Sequence, residues 1–164
     1  MSKFGQGNQK EKRSGTSTSR GGKTDSKQSV KILFNPQESL TNLVDNLAEQ
    51  QAKSLEILTS SQLRKFFGEV KDLYRRWKML EKTTQENNKQ KCYQEVIEPQ
   101  LKMLRSKAYY AIRLGGQQQI PESFRDFIDK GIEKIKGPGD FEKFVKHFEA
   151  IVGFLYGLGR VKKS

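Results

Sequence analysis

Cysteine occurs once, at Cys92, so neither an internal disulfide framework nor a thiolate metal cluster can form within the chain. Histidine also occurs once, at His147, and metal-ligand spacings of the HExxH or CxxC kind are absent. No serine or cysteine sits in a nucleophile-elbow motif, and no GxxxxGK(S/T) loop exists to cradle phosphates. With Lys146 before it and Phe148 after it, His147 reads as a surface or half-buried structural residue. The acidic residues are scattered among lysines at ordinary surface spacings. The chain therefore reads as no enzyme, with no catalytic residue, metal or cofactor. No apolar run approaches the ~18 residues that cross a bilayer. The polar, basic N-terminus lacks an apolar h-region, so no secretory signal is expected and the cytoplasm is the expected location.

Positive charge is what the chain has in excess. A formal charge of +12 over 164 residues predicts an anionic partner, nucleic acid first and an acidic membrane surface second. Residues 1–31 hold eight Lys/Arg against Glu11 and Asp25, which is +6, half of the total. Gly, Ser, Thr and Lys dominate there, a composition that cannot offset its own ordering entropy. The chain thus divides into a disordered basic tail at 1–34 and a helical-bundle domain at 35–164. The tail suits loose contact with nucleic acid and a purely solubilising role equally.

Beyond the tail the apolar spacing is helical throughout, and nothing alternates with a period of two. Leu40, Leu43, Val44, Leu47, Leu55 and Leu58 share one side of a first helix. Thr59 and Gln62 form a possible capping box for a second, whose apolar face runs Leu63, Phe66/Phe67, Val70, Leu73/Tyr74, Trp77 and Leu80. "KTTQENNKQK" is a polar loop. A third stretch carries Tyr93, Val96, Ile97, Leu101, Leu104, Ala108 and Ile112, with Pro99 as a kink or a fresh start and Gly115–Gly116 as its end. Pro121 suits the first turn of a fourth helix with Phe124, Phe127, Ile128 and Ile135 inside, and "GPG" at 137–139 stops it. Asp140 is the expected N-cap of the last helix, where Phe141, Phe144, Phe148, Ile151, Leu155 and Leu158 step by three and four as a heptad seam. The expected fold is an all-α, compact bundle of about five helices.

Two helices also carry lines of one sign. Arg64, Lys71, Arg75, Lys78 and Lys82 fall within about 60° of one another at roughly 100° per residue, and Glu69, Asp72 and Glu81 project elsewhere on that helix. Lys102, Arg105, Tyr109 and Arg113 share a face of the third stretch. Solvated faces usually mix signs, because opposite pairs at i, i+4 stabilise and like pairs cost a few tenths of a kcal/mol. Two cationic lines suit a phosphate track. Phe67 and Tyr74 border the first line, where they either stack on a base or close the core edge. The competing reading is a protein–protein adaptor whose lysines only solubilise it.

Three stretches, read together and in order, resemble one family. "LTSSQLRKFFGEVKDLY" is similar to the opening block of the small subunit of the type III-A CRISPR–Cas effector, the Csm complex. "LKMLRSKAYYAIR" looks like that family's second block, although Tyr110-Ala111-Ile112-Arg113 stands where Ala-Ala-Gly-Arg is common. "FEKFVKHFEAIVGFLYG" resembles its C-terminal helix. The resemblance implies a non-catalytic RNA-binding subunit, present in several copies along the target RNA/guide duplex. Its implied partners are the target RNA, the guide RNA ribonucleoprotein, the Csm backbone subunits, the large signalling subunit and further copies of itself. Arg64, Lys65 and Arg113 carry over as basic positions of the matched blocks. Lys71, Arg75, Lys78, Lys102 and Arg105 rest on the helical-face argument.

Overall fold

Amphipathic helices joined by short polar turns bury their apolar stripes against one another. The computed structural model describes Gly5 and residues 29–112 and 119–164. They form α1 (Leu40–Val44), α2 (Asn46–Ser54), β1 (Leu58–Thr59), α3 (Ser60–Thr83), α4 (Lys89–Cys92), α5 (Glu98–Ala111), α6 (Glu122–Glu133), α7 (Pro138–Gly157) and β2 (Val161–Lys162). A break at Asp45 separates α1 from α2, and a π-helical turn at Tyr93–Ile97 joins α4 to α5, so these segments group into five rods. The all-α bundle read from periodicity is the fold. A parallel pairing of β1 with β2 is added to it, Leu58 opposite Val161 and Thr59 opposite Lys162.

Local signals place most helix ends. Thr59 Oγ1 accepts from the Gln62 amide at 3.3 Å, and Gln62 Oε1 accepts from the Thr59 amide at 2.8 Å, which closes the capping box of α3. Pro99 marks a fresh start, since it occupies the first turn of α5 and the π turn just before it takes up the change of register. The polar loop is shorter than expected, because α3 runs on to Thr83 and helix resumes at Lys89. Asp140 is not the N-cap of α7. Gly137 holds that position, Pro138 opens the helix with its preset φ, and Asp140 Oδ2 accepts from the Lys136 amide at 3.0 Å. Leu55 and Leu58 are buried from the extended segment after α2 rather than from a helix face, while Leu40 is exposed. Gly115 and Gly116 lie outside the described residues.

The core is organised on α7, which packs against α1, α2 and α3. Phe141, Phe144, Phe148, Ile151 and Leu155 are fully buried as the heptad seam requires, whereas Leu158 caps the helix and is exposed. Phe127 meets Phe148 edge to face with ring centroids 5.1 Å apart, and Phe67 does so at 5.2 Å. Such pairs add about 0.5–1.5 kcal/mol each to the burial of the rings. Helix α6 comes so close that a Cβ on Gly131 would stand 2.7 Å from the Phe144 ring, so only glycine fits there. Gly159, at φ +66°, then turns the chain out of α7, with the Arg160 amide donating to the Leu155 carbonyl at 2.8 Å. That reversal carries β2 back to β1.

The packed part begins earlier than the boundary at 34 suggests. Phe34 is fully buried, with its ring edge-on to Phe144 at 5.2 Å, and Val30 and Ile32 pack against the core. Residues 29–35 form an extended strap that ends in a turn at Pro36–Glu38, and four carbonyls of this segment, which lack helix or sheet partners, take lysine ammonium groups instead. Lys134 Nζ donates to the Ile32 and Phe34 carbonyls at 3.2 and 2.6 Å, and Lys143 Nζ to those of Pro36 and Glu38 at 2.6 and 3.0 Å. Apart from Gly5, residues 1–28 lie outside the described residues.

His147 is fully buried, neither at the surface nor half-buried. Its Nδ1 lies 2.6 Å from the Leu43 carbonyl, which accepts, so the proton sits on Nδ1; Nε2 has no partner. Burial lowers its pKa, the Leu43 carbonyl opposes the shift, and the Lys134 charge adds to it.

Two measurements test this core. Phe34→Ala removes a ring from a filled site, so unfolding by denaturant should show a loss of about 3–5 kcal/mol. The unfolded chain protonates His147 near 6.5, and the folded chain does so only at lower pH. The unfolded state thus binds more protons, and stability falls as pH drops below 6.5 by up to about 1.4 kcal/mol per unit. His147→Gln should flatten that slope between pH 7 and 5.5, whatever it does to the absolute stability.

Candidate nucleic-acid interface

A helical wheel shows which side chains share a face, and packing decides which carboxylates that face meets. The stripe on α3 borders α7, where Glu142 and Glu149 sit seven residues apart on one side. Lys71 Nζ lies 3.1 Å from Glu149, and Lys78 Nζ lies 2.6 Å from Glu81 and 3.7 Å from Glu142. The expectation of a stripe without acids therefore fails at the α3–α7 seam. Lys71, Lys78 and Lys146 all approach the Tyr74 ring at 5.9–6.0 Å. The Tyr74 hydroxyl donates to Glu142 at 2.9 Å, and burial followed by that bond raises its pKa. Tyr74 and Phe67 rest edge-on against Phe141 and Phe148, so both close the core edge.

The line on α5 is engaged as well. Arg105 Nε donates to Asp129 at 2.6 Å, and its NH2 reaches Glu133 at 2.6 Å. Tyr109 adds its hydroxyl to Asp129 at 2.7 Å, and the Arg125 guanidinium lies 5.1 Å from the Tyr109 ring centre. Burial alone would raise the Asp129 pKa, yet the bonds from Tyr109 and Arg105 hold it below the usual value. This clamp joins α5 to α6. On the other flank of α5, Lys107 reaches Glu69 of α3 at 2.5 Å. Residues two apart on a helix stand about 200° apart, so Arg105 and Lys107 point to opposite sides of α5, as Lys71 and Glu69 do on α3. The two stripes therefore border different neighbours, α7 and α6, and do not line one groove.

Magnitudes separate anchored cations from available ones. Arg75 pairs with Asp72 at 2.7 Å and Lys102 with Glu98 at 2.6 Å, with the two cationic side chains 69% and 60% exposed. Exposed pairs of that kind are worth about 0–1 kcal/mol and exchange readily for a phosphate. Lys71, Lys78 and Arg105 are more deeply seated. Lys65 is exposed, and Arg64 and Lys82 are exposed with no ion pair among the described residues. Arg113 lies outside the described residues.

The β1–β2 pairing adds cations that helical periodicity does not reveal. It sets Lys162 beside Thr59, the cap of α3, and brings the exposed Lys163 to the same end. Ser164 Oγ meets Ser61 Oγ at 2.7 Å and the Ser61 amide at 3.0 Å, which holds this segment against the first turn of α3. Arg160 NH1 donates to the Leu55 carbonyl at 2.7 Å and meets no carboxylate among the described residues. Arg64, one turn into α3, completes a cationic end. Its sequence signal is the basic run "GRVKK" after the glycine that ends α7.

No group of metal-ligating side chains occurs among the described residues, and no helix there is long and apolar enough to cross a membrane. The ring of His147 lies between Phe34 and Phe127, with centroids at 5.7 and 6.2 Å.

Arg105→Ala should cost about 1–3 kcal/mol in denaturant unfolding, because Asp129 is left buried without its cation. Arg64→Ala should stay within about ±0.5 kcal/mol. Equal effects would mean that the clamp does not separate these two arginines.

A family model described as Csm2 Type III-A matches residues 37–156. No curated protein and no solved structure matches the chain. The family match covers well over half of the 164 residues and ends before β2, and the chain belongs to that family.

Proposed function

We propose that this small structural subunit of a type III-A Csm complex binds RNA without catalysing a reaction. In this reading several copies stack along the target RNA/guide duplex in the cytoplasm. The Csm backbone subunits that grip the guide lie beside them, and the large signalling subunit is within contact. The guide reads the sequence by base pairing, so the subunit needs charge and shape and no contacts to base edges. One observation carries the proposal. Arg64, Lys162 and Lys163 stand together at one end of α3 without ion pairs among the described residues, beside the exposed Lys65. Arg75 and Lys102 extend the track through pairs weak enough to exchange. Arg105 serves the fold.

Counterion release on a single strand contributes about −0.7 to the slope of log K against log salt for each neutralised phosphate. Replacing Arg64, Lys162 and Lys163 together by Ala should flatten the slope by about 2, measured as RNA binding at several salt concentrations in the assembled complex. Affinity should fall alike for unrelated sequences, because phosphate contacts carry no base information. An unchanged slope in a folded, assembled triple variant would favour the adaptor reading.

A further inference from the structure

The seam between α3 and α7 repeats every seven residues. The two helices run antiparallel, with Tyr74 against Phe141 and Phe67 against Phe148. Lys78 lies 3.7 Å from Glu142. Lys71, seven residues back on α3, lies 3.1 Å from Glu149, seven residues further along α7. Seven residues make two turns, about 10.5 Å of helix, so the next step of the same register is Arg64 with Tyr156. A third glutamate at 156 would have neutralised Arg64. The chain has a tyrosine there instead, 47% exposed, whose side chain makes no hydrogen bond and no ring contact among the described residues.

The ring is left uncovered as well. Helical side chains lean toward the N-terminus, so the Tyr156 ring lies over the turn that holds Val152 and Gly153. Gly153 is exposed in the interior of α7, where only proline is a poorer helix former than glycine. A Cβ on it would meet nothing within 4 Å, so internal packing does not require glycine there, in contrast to Gly131. A longer side chain at 153 would lie against the ring, since residues three apart on a helix are neighbours. Gly157, next to Tyr156, leaves open space in the same way. The seam thus ends in an open aromatic face and an arginine without a carboxylate, near Lys162 at the cap of α3. The next acid back along α7, Glu149, is two turns away and engaged by Lys71. A base-free anion needs only the cations of this end, and an apolar partner only the ring. A nucleotide uses both, because it joins a phosphate to a planar face.

We propose that Arg64 and Tyr156 form a site for one nucleotide of RNA, with the guanidinium on a phosphate and the phenol ring stacked on an unpaired base. The proposal rests on the RNA-binding reading and deepens it, since it adds a contact to a base face where that reading has phosphate contacts alone. Every base has such a face, so stacking keeps binding tolerant of sequence.

The test uses the full-length chain and a labelled, unstructured single-stranded RNA at several salt concentrations. Tyr156→Ala should lower affinity about tenfold, or about 1.4 kcal/mol, a size that one base–aromatic stack supplies. The line of log K against log salt should shift without changing slope, because stacking releases no counterion. Arg64→Ala should instead flatten that slope by about 0.7. Tyr156→Trp should retain the affinity. Inorganic polyphosphate, a polyanion without bases, should bind Tyr156→Ala and the unaltered chain alike. Gly153→Leu should weaken RNA binding as Tyr156→Ala does while Tm stays level or rises, since leucine is the better helix former and pairs with Tyr156. Should Tyr156→Ala unfold the chain, Gly153→Leu decides alone. RNA affinity unchanged by these substitutions, or an equal loss toward polyphosphate, would overturn the nucleotide site, while a slope that still depends on Arg64, Lys162 and Lys163 would preserve the RNA-binding reading. Loss of neighbouring subunits from a complex carrying Tyr156→Ala, with RNA affinity of the chain intact, would assign the ring to a protein partner and also overturn the site. A slope that replacing Arg64, Lys162 and Lys163 leaves unchanged would remove the RNA-binding reading and the nucleotide site with it.

Discussion

Everything in this fold depends on surrounding α7. Its fully buried Phe141, Phe144, Phe148, Ile151 and Leu155, with His147 beside them, cannot be covered by one neighbour. The chain brings α3 to one side, α1 and α2 to another, α6 close enough to require Gly131, and the strap's Phe34 over the remaining gap. Only a narrow strip of α7 stays wet, the one with Glu142, Lys146 and Glu149. That strip faces the cations of α3, so the packing of the core also decides which positive charges are neutralised inside the molecule.

Features set by nearest neighbours along the chain were legible in the sequence. The Thr59–Gln62 capping box and the phenylalanine seam of α7 each depend on residues within one or two turns and are where periodicity and capping rules put them, and of the kink or fresh start open at Pro99 the structure has the fresh start. The errors have a common cause in long-range contacts. Phe34 looked like part of a polar tail because its partners Phe144 and His147 lie more than a hundred residues away. Leu58 looked helical because the strand that pairs with it comes at the end of the chain. His147 carries no local mark of burial, since the groups that enclose it come from α1, α6 and the strap.

The candidate site was legible to the same limited degree. A wheel drawn for α3 separates Arg64 and Lys71 by a few tens of degrees and treats them as equals. Across the helix boundary they differ, because Lys71 meets Glu149 and Arg64 meets no carboxylate among the described residues. Arg105 shows the effect more strongly, as Asp129 and Glu133 lie on α6, over twenty residues away, and take up its donors. Counting cations on a helix therefore overstates the charge that a helical bundle offers a polyanion. The residues that correct the count, Lys162 in the two-residue strand β2 and Lys163 just after it, lie beyond the end of the family match.

The lysines divide by the same logic. Lys134 and Lys143 serve backbone carbonyls, which carry no formal charge, so they anchor the strap without cancelling any of the +12. An anchor made with carboxylates would have tied the strap equally well and lowered the field felt by a polyanion. Desolvation lowers the Lys134 pKa, which is the cost of placing an ammonium among carbonyls and not against an acid. The fold accepts that cost at the strap and confines its salt bridges to α7, α6 and the exposed helix faces. The end of the molecule where β2 returns and where α3 begins keeps Arg64, Lys162 and Lys163 without carboxylate partners among the described residues.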